Sequence, residues 1–419
     1  MLLEKSLSYK DPITDLPLHR LPQRQPGPGL GFLDGVRVVD LTTSVAGPYA
    51  TMLLADFGAE VIKIERPGGD DARAWGPPFL DGESLWFMAV NRNKKSVVID
   101  LNDETGMRNL YELIRTADVF LTNQPPSVQK KFDLDYESLR RLNDKLIFTA
   151  VTGFGLSGAR AKLPCYDLIA EGYSGVMDLT GAEDSEPQKI GAPAADMLAG
   201  QDAAMATMAA LYDRLQNGKG KLIDVSLVES MTRFLACRIS AFVGSGVLPT
   251  RSGGTDSVIA IYQAFETQDE PITLGLGSDA IWTRFWTAVG RPEYAEDERV
   301  KSNAERRNRR AEIVTEIQAI LKQRRRDQWL AIFAEARVPA GPINNIEQTA
   351  MDEDFNARGF ICALDDGNRL TPHIGLGIQV DGEPVMPRSA APALGAHTEE
   401  VLDSLPSTNA PADSAVSAG

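Results

Sequence analysis

The sequence predicts an α/β protein: a Rossmann-like parallel-sheet large domain assembled from both chain ends, with a smaller α+β domain inserted. Two observations carry this. Short β-branched runs alternate with helical stretches from Gly35 to about Gly155, the pattern of βαβ units and a parallel sheet. After Met231 the alternation gives way to helices and strands that read as antiparallel, and 419 residues leave room for a second core.

Taken in order, residues 1–30 end in "PQRQPGPGLG" and read as an extended arm. The large domain then opens at 31 and runs to 228. "VRVVDL" is its first strand, "GPYATMLLADFGAE" a helix and "VIKIE" a second strand. "SVVIDL", "DVFLTN" and "LIFTAVTGFG" are further strands, with the acid-started helix "DETGMRNLYELIRTA" after the first of them. The stretch "AEDSEPQKIGAPAADM" reads as a loop leading to the apolar helix "GQDAAMATMAALYDRLQNG", which stops at Gly218. Residues 229–336 form the small domain, 337–405 return to the large one with a β-rich finish, and 406–419 read as a disordered tail.

The formal net charge of −15 argues against a surface built for nucleic acid or anionic lipid. Two local basic runs, "NRNKK" and "KQRRR", are phosphate candidates or solvated faces, the second reading as an exposed stretch between two helices. Cys165, Cys237 and Cys362 follow no metal or disulfide spacing, and His19, His373 and His397 are isolated, so no metal site is expected. The N-terminus lacks a secretory apolar region and no long apolar run could span a bilayer; a reducing cytoplasmic setting is expected.

The first βα turn, "LTTSVAGPY", has no GxGxxG, so a dinucleotide fingerprint is missing. Ligands of open α/β sheets still gather at the carboxyl ends of strands, which draws notice to Thr43–Gly47, "IERPGGDDAR" and "LTNQPPS". Arg66 and Arg73 there could meet phosphates or pair with Asp70 and Asp71. Asp196 stands among Gly, Ala and Pro, which suits either a first-turn helix acid or an acid that a substrate must reach; Asp202 reads as the better helix cap. Asp167, beside Tyr166, has the same two readings.

The run "LDGVRVVDLTTSVAGPYATMLLADFGAEVIKIERPGGDDARAWGPP" resembles the opening of class III CoA-transferases, the family of formyl-CoA and carnitine CoA-transferases and α-methylacyl-CoA racemases. "NRNKKSVVIDL", "ADVFLTNQPPSV", "VTGFGLSG", "YDLIAEGYSGVMDLTG", "ADMLAGQDAAMATMAALYDRLQNGKGKLIDVSL", "VPAGPINNIEQ" and "ALGAHTEEVL" match in the same order, over roughly residues 33–403.

The resemblance implies an acyl-CoA enzyme with Asp196 as its catalytic aspartate, supported by Tyr166 and Asp167. Attack of a carboxylate on a thioester gives a mixed anhydride, which keeps the acyl group activated where a serine ester would not. Each step passes through an oxyanion that needs N–H donors and exclusion of water. Gly253 and Gly254 of "RSGGTDS" are candidates for a glycine loop, although relatives such as formyl-CoA transferase carry a longer run. By position the resemblance puts Val45, Ala46, Arg66, Asn123, Gln124 and Lys131 around the CoA nucleotide, with apolar Val45 standing where the family has a polar contact.

No permanently bound cofactor is implied; a CoA thioester is the substrate. The implied partners are an acyl-CoA donor, a small carboxylic-acid acceptor with short dicarboxylates the first guess, and a second copy in an interlocked homodimer, with no nucleic acid or membrane. Racemase members carry His where this chain has Tyr166, and α-proton exchange needs two acid/base groups, so the residues favour transfer. An epimerase using Asp167 or Tyr166, and a non-catalytic CoA-binding protein, are the alternatives.

Overall fold

Arg37–Leu41 (β1), an apolar and β-branched run, is an inner strand of a six-stranded sheet. The computed structural model describes residues 16–405; the start of the expected arm and the expected tail at 406–419 lie outside the described residues. Ala46–Asp56 (α1), Glu60–Glu65 (β2), Lys94–Val98 (β3), Glu104–Arg115 (α2), Val119–Thr122 (β4) and Ile147–Thr152 (β5) follow. Asp167–Ser174 (α3), Ala194–Asn217 (α4) and Lys221–Ser226 (β6) complete the layer, and Leu227–Phe234 (α5) packs on α4.

The sheet order is β3-β2-β1-β4-β5-β6 and every neighbouring pair is parallel. Side chains of a strand alternate between faces, and here each face has its own helices. Val38 packs with Leu54 of α1 and Ala204 and Leu211 of α4, whereas Val39 packs with Leu110, Leu113 and Ile114 of α2. The order reverses between β1 and β4, so a crevice opens at their carboxyl ends.

Beneath that crevice lies a buried cluster of charges. Lys63 of β2 and Lys94 of β3 are both buried, as are Asp40, Glu65 and Asp70. Lys63 Nζ donates to Asp70 Oδ2 and to Thr42 O, each at 2.8 Å. Lys94 Nζ donates to Asp40 Oδ2 at 3.1 Å and to Pro48 O at 2.8 Å, while Arg73 binds Glu65 through two bonds of 2.8 Å. Three acids thus meet three bases. Burial opposes every one of these charges, yet the partners outweigh it for Asp40 and Lys63, whose pKa values move down and up respectively. Glu65 falls to about 2 through Arg73 and Lys63 in spite of burial, and burial pushes Lys94 down to about 8.

The smaller unit contains Gly175–Ile190 and Ala236–Thr349. Its elements are Ala236–Ser245 (α6), Tyr262–Phe265 (β7), Ile272–Gly275 (β8), Asp279–Ala288 (α7), Arg310–Leu321 (α8), Arg326–Glu335 (α9) and Ala340–Pro342 (β9). The strands form an antiparallel sheet in the order β7-β8-β9, over a core that includes Trp282, Phe285, Trp286, Trp329 and Phe333. In the sheet-bearing unit, Ile361–Asp365 (β10) and Leu370–Ile374 (β11) pair antiparallel, and Gln23–Arg24 of the arm adds to β10.

Several details differ from expectation. The run "NRNKK" is neither a solvated face nor a phosphate patch: Arg92 is bound to Asp56, and Lys94 enters β3 with its ammonium inside. Lys221–Ser226 is a strand that its interspersed charges disguised. α4 starts at Ala194, ahead of the expected Gly200, so Asp202 lies within the helix, accepting from Ser230 Oγ at 2.8 Å and pairing with Arg233, and is not a cap. Among the described residues no helix is long and apolar enough to cross a membrane.

Removing one partner of a buried pair strands the other charge. Asp40→Asn should therefore lower stability by about 3–5 kcal/mol, read as a shifted midpoint in urea unfolding.

Candidate active site

The active-site geometry begins with a helix that lacks its own cap. Pro193 precedes α4 and offers no side-chain acceptor, so the first N–H groups of α4 need one from elsewhere. Asp167, the first residue of α3, supplies it: its Oδ1 accepts from the Ala195 N–H at 2.8 Å and the Asp196 N–H at 3.3 Å. The chain reaches that position by a close turn after β5, where a Cβ on Gly153 would lie 2.1 Å from the Cys165 Cβ.

Asp196 is thereby held in the first turn of α4, half-buried, next to a second carboxylate. Burial and the charge of Asp167 raise its pKa to about 7. A carboxylate so placed is poorly solvated and correspondingly basic, the condition for a nucleophile. Burial, then Asp196 and Asp167, push the Cys165 thiol up to about 11, so this neighbouring sulfur stays protonated. Tyr166 is 71% exposed.

α4 approaches α1 closely because of Gly200, where a Cβ would lie 2.6 Å from Ala46 O and 3.0 Å from Tyr49 Cδ1. That contact sets the amino end of α1, with Val45 and Ala46, against α4. A cavity of about 310 Å³ runs along this junction, and Val45, Pro193 and Met197 form part of its wall.

A second cavity, of about 320 Å³, opens at the carboxyl ends of the strands, with Thr43, Arg66, Asp71, Asn102, Gln124 and Phe132 in its wall. Asn123 ties the two sides of the switch point: its Nδ2 donates to Thr43 O at 2.8 Å and its Oδ1 accepts from Thr43 N at 3.1 Å. Arg66 donates to Gly69 O at 3.0 Å and pairs with Asp71, both side chains being largely exposed and open to exchange with an incoming anion. Arg73, the other expected cation, is committed to Glu65. Lys131 Nζ sits 4.5 Å from the ring centroid of Phe132.

The structure thus brings Arg66 and Gln124 to one cavity, with Asn123 bracing it and Lys131 beside it, and Val45 to the other. Gly253 and Gly254 belong to the smaller unit, where Gly253 adopts φ +59° and donates to Gly181 O at 3.0 Å. Of the first cavity's polar residues, the sequence does not single out Tyr49, shows Arg92 only within the basic run "NRNKK", and His373 only as an isolated histidine. They come from three distant segments, and no spacing joins them.

A doubly covered parallel sheet with cavities at its switch point defines an α/β ligand-binding enzyme fold. The chain belongs to CoA-transferase family III, whose family model matches residues 33–398. It is 38% identical to the succinate–glutarate CoA-transferase of Agrobacterium fabrum (strain C58), an alignment that covers 92% of this chain and 97% of that protein. With succinyl-CoA:glutarate CoA-transferase of Mus musculus it shares 34% identity over 88% of this chain and 85% of the relative. The crystal structure of a CAIB/BAIF family protein from Brucella suis superposes with a TM-score of 0.78 at 37% identity, covering 90% of this chain and 99% of that one. The expected family is borne out, and with it the enzyme class: CoA transfer between an acyl-CoA and a carboxylate.

Asp167→Asn keeps an oxygen for the Ala195 N–H and removes the neighbouring charge. The Asp196 pKa should fall, read by carbon-13 NMR titration of its carboxyl group; an unmoved pKa would mean that burial alone sets the acidity.

Proposed function

We propose that Asp196 carries CoA transfer as a covalent nucleophile. Its carboxylate oxygen attacks the thioester carbonyl of the donor, the C–S bond breaks, and CoA leaves as a thiolate while an acyl-aspartyl anhydride forms. The thiolate then attacks Cγ of Asp196, releasing the donor acid and leaving an aspartyl-CoA thioester. The acceptor carboxylate attacks the same Cγ, expels CoA thiolate and forms a second anhydride. Attack of the thiolate on the acceptor acyl carbon gives the new acyl-CoA and restores Asp196. No net proton is gained or lost, which suits a site with no committed acid beside the nucleophile.

The observation that carries this reading is the placement of Asp196, half-buried in the first turn of α4 with its N–H on Asp167 Oδ1 at 3.3 Å; burial and Asp167 raise its pKa to about 7. Arg66, Gln124, Asn123 and Lys131 take the phosphates and adenine of CoA at the switch-point crevice, and Val45 and Ala46 line the path from there toward α4. The donor and acceptor are short dicarboxylic acids, in keeping with the succinate and glutarate named for the relatives.

The working form is an interlocked homodimer. In support of this, α6 has no buried residue, with Val243 75% exposed, and α4 exposes Leu215 at 82%. Apolar side chains left in water on this scale call for a covering surface. A cytoplasmic setting suits the three free cysteines.

Mixing the protein with succinyl-CoA and trapping with hydroxylamine or borohydride should label Asp196 alone in intact-protein and peptide mass spectra, and Asp196→Ala should give no label. Absence of label alongside deuterium uptake at the acyl α-carbon would move the protein to the isomerase branch. On gel filtration the protein should elute at twice its 45.5 kDa chain mass; elution as a monomer would contradict the dimer.

A further inference from the structure

The cavity beside α4 lies wholly in the sheet-bearing unit, and its wall is apolar except for a few side chains. Arg92 is 8% exposed; its Nε and Nη2 bind Asp56 Oδ1 and Oδ2 at 3.0 and 2.6 Å, which leaves Nη1 with no hydrogen bond among the described residues. His373 of β11 is 4% exposed, and its Nε2 is buried with no hydrogen-bond partner. Tyr49 of α1 faces the same space, and its hydroxyl bonds to no other group among the described residues. Burial and the charge of Arg92 hold His373 down to about 3, so its imidazole is neutral and Arg92 supplies the positive charge.

The buried His373 Nε2 without a partner is costly, while Arg92 Nη1 and the Tyr49 hydroxyl bring unused donors to the wall of the same cavity, and an anion with two acceptor oxygens could engage them together. The cavity is small, near the lower end of ligand pockets, and it begins at Pro193 and Met197 on either side of Asp196 in the chain. We propose that this cavity receives the acyl group during transfer and that Arg92, Tyr49 and His373 bind its far carboxylate, selecting short dicarboxylic acids over monocarboxylic acids. The inference rests on the reading of Asp196 as the nucleophile. A monocarboxylic acyl chain fits the apolar wall and leaves the donors unpaired, which is how a polar pocket rejects an analogue that lacks its partner.

The test compares glutarate with pentanoate as CoA acceptors from succinyl-CoA, as a ratio of kcat/KM, in the full-length protein and in Tyr49→Phe and His373→Leu. Tyr49→Phe removes one oxygen and guards against a folding defect in the other variant. The wild type should favour glutarate strongly, and each variant should lower the ratio by roughly tenfold or more. An unchanged ratio in both variants overturns the proposal. A wild type that is labelled at Asp196 yet shows a ratio near one overturns the pocket while leaving the nucleophile standing, whereas no label with any acyl-CoA overturns both.

Discussion

The ion cluster of Asp40, Lys63, Glu65, Asp70, Arg73 and Lys94 is the constraint on which the ligand-facing surface depends. Each member ties a loop to the sheet. Lys63 holds Thr42 O, Asp70 accepts from the Ser44 N–H at 3.1 Å, and Lys94 holds Pro48 O, so the junction between β1 and α1 is fixed from three sides. Arg73 also reaches Pro392 O at 3.2 Å, linking the cluster to the returning C-terminal segment. Such a cluster contributes little net stability over a well-packed apolar core, since desolvation offsets most of the attraction. What it does contribute is position: Lys63, Asp70 and Lys94 each hold a backbone atom of this junction.

From that junction the two cavities diverge. Thr43 faces the crevice at the strand ends and Val45 faces the space beside α4. One short turn therefore takes part in both, and the close approach of Gly200 to Ala46 keeps the second space against the start of α4, where Pro193 and Met197 line it. Asp167 completes the arrangement by doing two jobs with one carboxylate. It satisfies the amino end of α4 and, through the same proximity, makes Asp196 harder to ionise.

The parallel sheet was legible because β1, β2, β4 and β5 are mostly apolar, β-branched runs whose residues are nearly all buried, the charges Asp40, Lys63 and Glu65 being single interruptions. Lys94 and Lys95 broke that agreement: a strand that carries an internal ion pair reads as a surface, since sequence does not display Asp40 as the partner. β6 hid for a related reason, its first residues being exposed and charged. The early start of α4 was masked by Pro193 and the alanines after it, and its cap comes from Asp167 on another helix, beyond any local pattern. Asp196 itself was legible as a residue through the family resemblance, but its environment was not. Tyr49, Arg92 and His373 meet only through the tertiary fold.

The raised pKa of Asp196 also bears on the stability of the folded state. In the unfolded chain this carboxyl ionises near 3.8, in the folded protein near 7. Below the lower value both states are protonated and the group costs nothing; the cost grows as the pH rises between the two values and is complete above the upper one. At neutral pH the free protein thus carries a penalty that, on the mechanism proposed above, would disappear whenever Asp196 is held as anhydride or thioester, because that side chain bears no charge. The proposed chemistry would then couple substrate turnover to conformational stability through one carboxylate.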